Sequence, residues 1–299
     1  GDGLYNVAFS GDIHYEDTRL FNGAVNDFPR VETLVLESTY GGRDDYQTDQ
    51  ADSEEALKQV INETYEAGGK VVIPAFAVGR SQEIMLVLEE AMRNGDIPEM
   101  PVHLDGMIWE ATAIHTTYPE YLRDDLRDRI FHDDENPFLA DQFNHIDGGE
   151  DERQDVADGD ECIIISTSGM IEGGPIMSWL RHIGPEPDSN LVFVGYQAQG
   201  TLGRRIQNGW DEIPVDGWGG GGRGDTLTLE MGTEVVDGFS GHADRQGLEN
   251  FVKTMNPRPE KVLCVHGDER SVQDLSSALY HDYNMRTFAP KNLETFRFK

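Results

Sequence analysis

The sequence is short of cysteine, of basic charge and of long apolar runs. Its 299 residues include two cysteines, too few for a disulfide framework or a cysteine-ligated zinc site. Cys162 and Cys264 each lie within an apolar run, where a thiol behaves as a small buried hydrophobe. No run approaches the roughly 18 apolar residues of a membrane-crossing helix, and the N-terminus has no charged-then-apolar leader pattern. The expectation is a reduced, cytoplasmic protein with no membrane partner. Lys and Arg total 24 against 56 Asp and Glu, for a formal net charge of −32, and only six of the basic residues are lysine. The acids are spread along the whole length and are not gathered in a tail. Such a surface repels itself in dilute buffer and needs salt to screen it, which implies a salt-loving (halophilic) source. A polyanion is also a poor surface for nucleic acid unless cations are concentrated locally, so any such role has to be carried by particular residues against the overall charge.

Several apolar, strand-like runs end abruptly on polar residues. Residues 261–265 stop at His266-Gly267-Asp268, residues 4–10 at Gly11-Asp12, residues 33–36 at Glu37, and residues 234–239 at Ser240-Gly241-His242. Ligand sites in open α/β sheets form beyond the carboxyl ends of strands. If these four runs share a sheet and a direction, Asp12, Glu37, His242 and His266 meet at one rim. Two imidazoles and two carboxylates are ligand chemistry for zinc or manganese. Taken singly, a strand-end Asp also reads as a cap and a strand-end His as a structural residue; the coincidence of four favours a site.

Between residues 46 and 210 strand-like and helix-like stretches alternate, which predicts a domain with its own mostly parallel sheet. It would be inserted between residues 1–45 and 211–299. Helices are expected over 54–67, 81–93, 108–117 and 121–131, with Asp52-Ser53 capping the first. Residues 141–161 hold nine acids and read as an exposed loop. The glycine run at 217–224 reads as a turn leading into a hairpin of 226–231 and 233–239. Gly1-Asp2-Gly3 before a strand reads as a hairpin turn, as though an earlier strand were missing. Two strand-to-helix turns suit a phosphate: Phe76-Ala-Val-Gly79-Arg80-Ser81, and Ser166-Thr-Ser168-Gly169-Met170 with Pro175 opening the next helix. A helix N-terminus offers unpaired N–H groups and a positive dipole end, and Arg80 would add a bidentate charge. Either turn also reads as an ordinary connection.

In order along the chain, Gly11-Asp12, Leu36-Glu37-Ser38-Thr39-Tyr40-Gly41, Phe76-Ala-Val-Gly79-Arg80-Ser-Gln-Glu83, Ser168-Gly169-Met170, Gly200-Thr-Leu-Gly203, Phe239-Ser-Gly-His242-Ala-Asp244 and Val265-His266-Gly267 resemble the metallo-β-lactamase-fold ribonucleases with a β-CASP insertion. The likeness is strongest to archaeal homologues of the cleavage and polyadenylation specificity factor nuclease, and it covers essentially the whole chain. It implies an α/β fold, part of an αββα lactamase sandwich with the β-CASP domain inserted. It further implies a zinc-dependent ribonuclease of mRNA 3′-end processing or RNA turnover, with two Zn²⁺ per intact site activating a hydroxide. On this resemblance Asp12 bridges the metals and His266 completes the second zinc site. His242 contacts the scissile phosphate, Glu37 orients His242, and Arg80, Ser168 and Gly169 join His242 in holding RNA.

The family's His-x-His-x-Asp-His motif and a further isolated histidine have no counterpart here, and neither do the N-terminal KH modules of archaeal relatives. The chain therefore resembles the C-terminal part of such an enzyme, inactive by itself and a poor holder of zinc. A non-catalytic processing-complex subunit, or a dimerisation or RNA-binding module of the same fold, is the alternative. The C-terminal residues 293–299 alternate apolar and polar residues as an edge strand does, which predicts a homodimer through this segment.

Overall fold

A computed structural model describes residues 4–132, 135–214 and 226–297. From the start of the chain the elements run β1 (Val7–Phe9), β2 (Thr33–Glu37), α1 (Gln50–Glu66), β3 (Val71–Pro74), α2 (Arg80–Asn94), β4 (Val102–Asp105), α3 (Ile108–Thr117) and α4 (Asp124–His132). The middle holds β5 (Phe143–His145), α5 (Gly149–Ala157), β6 (Ile163–Ser166), α6 (Ile176–Ile183), β7 (Asn190–Phe193), α7 (Leu202–Gln207) and β8 (Glu212–Pro214). The remainder is β9 (Thr226–Thr228), β10 (Gly232–Val235), α8 (Arg245–Thr254), β11 (Lys261–Val265), α9 (Glu269–His281) and β12 (Arg286–Phe288). The turn expected at Gly1–Gly3 and the glycine run at 217–224 lie outside the described residues, as do the last two residues of the tail.

Two compact units divide the chain, one of Gly1–Gln47 with Gly241–Lys299 and one of Thr48–Ser240. The first unit is built on a parallel sheet in the order β1-β2-β11-β12. Alternation in β2 and β11 sends Leu34, Leu36, Val262 and Cys264 to one face. There they pack with Leu248, Phe251 and Val252 of α8 and Leu275 and Leu279 of α9. Each fully buried side chain of this size contributes about 1.5–3 kcal/mol. Register places Val265 opposite Glu37, so the carboxyl ends of β2 and β11 are neighbours.

The second unit carries a six-stranded parallel sheet in the order β10-β7-β3-β6-β4-β5. Every residue of β3 and β6 is buried, the mark of a parallel strand covered on both faces. On one face Val72, Ile164, Leu191 and Phe193 pack with Ile176, Trp179, Leu180 and Ile183 of α6 and its surroundings. On the other, Ile73, Ile163 and Ile165 are as deeply buried, and α1 and α2 supply Leu57, Ile61, Ile84 and Leu88. Burial pushes the thiols of Cys162 and Cys264 up to about 12, consistent with their reading as small hydrophobes.

The structure departs from the sequence reading in five places. Residues 293–297, expected to form an edge strand, form none, the last strand ending at Phe288. The second unit runs to Ser240 and not to 210, because β10 pairs in parallel with β7 and closes that sheet. Residues 234–239 are therefore not a fourth strand of the first unit's sheet. The hairpin expected over 226–239 is replaced by β9 pairing antiparallel with β8. Residues 141–161 are not a bare loop: β5 and α5 form there. Glu150, Asp151 and Glu152 fall in the first turn of α5, where negative charge suits the dipole. The helix docks through charge as well as through Val156 and Ala157, which join the core. Arg153 reaches Asp105 of β4 at 2.6 and 3.1 Å, and Glu150 accepts from Ser178 at 2.7 Å and pairs with His182 at 2.9 Å. Finally, the cap of α1 is Asp49, which accepts from Ala51 N–H, and not Asp52-Ser53.

Candidate metal centre

All four residues expected at the rim belong to the first unit, and the fold brings them together. One ligand atom from each of Asp12, Glu37, His242 and His266 lies within 4.8 Å of the others. Glu37 ends β2 and is 1% exposed. His266 follows β11 directly, and its φ of 54° is a left-handed conformation that costs a non-glycine residue about 1–3 kcal/mol and clusters at functional sites. Its carbonyl accepts from Ser38 N–H at 3.1 Å. Gly267 follows because a Cβ there would meet Ser38 O at 2.3 Å. Asp12 comes from the loop after β1, and its Oδ1 lies 3.3 Å from His266 Nδ1. His242 arrives by a loop, not at a strand end. That loop is fixed by Gln47 donating to the His242 carbonyl at 3.0 Å and by Ala243 N–H donating to Ile13 O at 2.6 Å.

The core of the arrangement is a buried carboxylate, Glu37, paired with the partly exposed imidazole of His242. His242 Nδ1 lies 3.0 and 2.9 Å from the two Glu37 oxygens. A carboxylate only accepts, so Nδ1 carries the proton and chemistry toward a substrate falls to Nε2. Glu37 also accepts from Ile13 N–H at 2.8 Å and from the Thr39 hydroxyl at 2.7 Å. Burial works to raise its pKa, but the hydrogen bonds from His242 and Thr39 together with the charge of His242 hold it below the ordinary glutamate value. Thr39 is the junction of the site, since its hydroxyl oxygen also lies 3.3 Å from His242 Nδ1 and 3.4 Å from His266 Nδ1. Behind it Arg245, 5% exposed, donates to Gly41 O and pairs with Glu249, and so ties the 38–45 loop to α8. Glu249 in turn accepts from Tyr283 at 2.8 Å, a bond that, with burial, pushes that phenol up to about 12.

Oxygen and imidazole donors suit zinc, and the set divides by exposure. Asp12 and His266 have side chains 61% and 60% exposed, the condition of donors able to reach an ion. Glu37, buried and already accepting from three groups, is placed to orient and not to ligate. Two donors fall short of the four of a closed zinc site.

In the second unit Ser168 and Gly169 line a cavity of about 450 Å³ together with Phe76, Val78, Met107 and Thr167, beyond the carboxyl ends of β3, β4 and β6. The Ser168 hydroxyl donates to Gly173 O at 3.1 Å and accepts from Glu172 N–H at 2.9 Å. Arg80 opens α2, but it does not stand as an open cation. Its guanidinium pairs with Glu83 one turn on, and both side chains are about nine-tenths buried. Sequence reasoning missed Thr39, Gln47 and Arg245. Thr39 stands two residues after Glu37, within reach of its carboxylate, and was findable; the other two act through tertiary contacts that no local pattern signals.

A Beta-Casp domain matches residues 81–206, and a Zn-dependent metallo-hydrolase RNA specificity domain matches residues 226–290. Relatives described as transcription termination factor FttA align along almost the whole chain. The one from Methanosarcina mazei is 54% identical over 297 residues, 99% of this chain and 46% of the relative. Those from Methanothermobacter thermautotrophicus and Thermococcus kodakarensis are each 50% identical over 100% of this chain and 46% of theirs. The chain thus spans about half the length of the curated relatives it matches.

Proposed function

Because the chain belongs to the β-CASP family of metallo-β-lactamase-fold proteins, we propose that it supplies one side of the active site of a zinc-dependent ribonuclease. The observation that carries this is the pair of buried Glu37 and His242, with ligand atoms within 4.8 Å of those of Asp12 and His266. Asp12 and His266 would hold metal together with further donors. Zinc supplies Lewis acidity toward the phosphodiester. Glu37 fixes the tautomer and direction of His242. His242 Nε2 stabilises charge building on the phosphate oxygens or delivers a proton to the leaving oxygen. Ser168 and Gly169 hold RNA backbone, and Arg80 shapes the start of α2 while paired with Glu83. Phosphate contacts carry no base information, so little sequence preference is expected from these residues.

The relatives' description as transcription termination factors supports a role for this cleavage at the 3′ ends of transcripts, in the cytoplasm. No helix among the described residues is long and apolar enough to cross a membrane. The charge of −32 supports work at high salt. We also assign a homodimer contact to the C-terminal end, supported by β12 standing at the edge of its sheet; a version lacking residues 293–299 that still scatters light as a dimer would refute it.

The test is cleavage of RNA and DNA oligonucleotides by the full-length protein, with His266→Ala beside it. RNA hydrolysis that disappears in the variant, together with a fall in zinc per protomer, supports the reading. Cleavage of neither polymer, in zinc-loaded and folded protein, defeats it and favours a non-catalytic RNA-binding role.

A further inference from the structure

Gln197, in the segment after β7, is 3% exposed, and its amide is used unevenly. Nε2 donates to the carbonyl of Gly169 at 2.7 Å, while Oε1 is buried without a hydrogen-bond partner among the described residues. A buried, unpaired amide oxygen is destabilising, and an apolar side chain of equal length would avoid it. That places the value of this residue in the bond made by Nε2.

The carbonyl it holds belongs to the Ser168-Gly169-Met170 turn. Gly169 has no room for a side chain, because a Cβ would meet Phe76 N at 2.8 Å and Ala75 C at 3.0 Å; the turn is pressed against the segment after β3. The next carbonyl, that of Met170, accepts from Gly203 N–H at 3.1 Å. Two successive carbonyls are therefore drawn to the 197–203 segment. In a trans peptide the N–H points opposite to the C=O, so the Met170 N–H faces away from Gln197. Among the described residues, neither the Gly169 nor the Met170 N–H has an acceptor in the protein. Each is a backbone donor that the protein itself leaves to a ligand reaching this turn.

We propose that Gln197 is a positioning residue for RNA binding: by fastening the Gly169 carbonyl it sets the Gly169–Met170 peptide so that these N–H groups meet a phosphate of the substrate. The assignment rests on the ribonuclease reading given above. Because a backbone phosphate is held alike before and during cleavage, the effect belongs in KM and not in kcat.

The experiment is steady-state cleavage of an RNA oligonucleotide by the full-length protein, with inorganic phosphate as competing inhibitor. Gln197→Met keeps the volume and removes the donor. It is expected to raise KM about tenfold and the phosphate inhibition constant by a similar factor, with kcat within about twofold, as loss of uniform binding requires. Gly203→Ala disturbs the same contact from the other side, since its Cβ would come within 1.9 Å of Gln197 Oε1 and 3.0 Å of the Met170 carbonyl. It should give the same KM effect, and the double variant should be no worse than either single one. Unchanged KM and phosphate inhibition in Gln197→Met, with only a shifted melting temperature, would make Gln197 a packing residue and overturn the proposal while leaving the ribonuclease reading standing. A wild-type protein that cleaves no RNA and ignores phosphate would overturn both.

Discussion

At the scale of single residues, the site depends on Glu37, which touches no solvent and orients what does. Changing Glu37→Gln keeps its size but replaces an acceptor by a donor facing His242. Loss of such an orienting carboxylate typically costs 10–100-fold; a fall of that order in RNA cleavage by the full-length protein, with zinc content retained, is the expected outcome. A second residue carries a pH signature. Burial holds His103 below the ordinary histidine value, partly opposed by Glu152, and its Nδ1 is buried without a partner among the described residues. The unfolded chain takes up this proton near pH 6.5 and the folded chain only at lower pH, so between the two values the unfolded state binds more protons. Stability from this group is complete above about pH 6.5 and falls as pH drops toward the folded value. Urea titrations from pH 7.5 to 5 should show a shallower decline in His103→Gln than in the wild type. Asp12, Glu37, His242 and His266 were legible in the sequence because each follows an apolar run or a glycine-flanked turn. The motif shows the charge of Arg80 but not that Glu83, one turn away, pairs with it.

At the scale of elements, charge and long-range pairing explain what hydropathy could not show. Every strand of the two parallel sheets that is an unbroken apolar run was readable, as was α2 from its periodicity. α5 was not, because it has few apolar residues to declare a period and is anchored by Arg153 on Asp105, itself 1% exposed and also accepting from Trp179 Nε1 at 2.7 Å. Removing one partner of a buried pair leaves an uncompensated charge and costs about 3–5 kcal/mol. Arg153→Met should therefore lower unfolding free energy by roughly 3 kcal/mol in denaturant titration, while Arg153→Met with Asp105→Asn should recover part of the loss. Equal stabilities of the single and double variants would contradict this role. β10 was placed in the wrong sheet because its run into His242 looks like the other strand ends, and only pairing with β7, some forty residues back along the chain, assigns it to the second unit.

At the scale of the molecule, a formal charge of −32 stands against the proposed role on a polyanion. Screening reconciles them. With the Debye length near 3 Å at 1 M salt, distant acids no longer oppose either folding or the approach of RNA, and the short-range contacts of the site decide. Thermal melting should rise steadily from 0.1 to 2 M KCl; a flat or falling curve would contradict salt adaptation. The central claim, that His242 held by Glu37 acts on the scissile phosphate beside a metal held by Asp12 and His266, is tested most directly by single-turnover RNA cleavage in the full-length His242→Ala protein at zinc content matched to the wild type. The expected result is a rate lower by roughly 10²–10³-fold, as for loss of one group stabilising the transition state, with zinc unchanged. An undiminished rate in folded, zinc-loaded His242→Ala protein would contradict it.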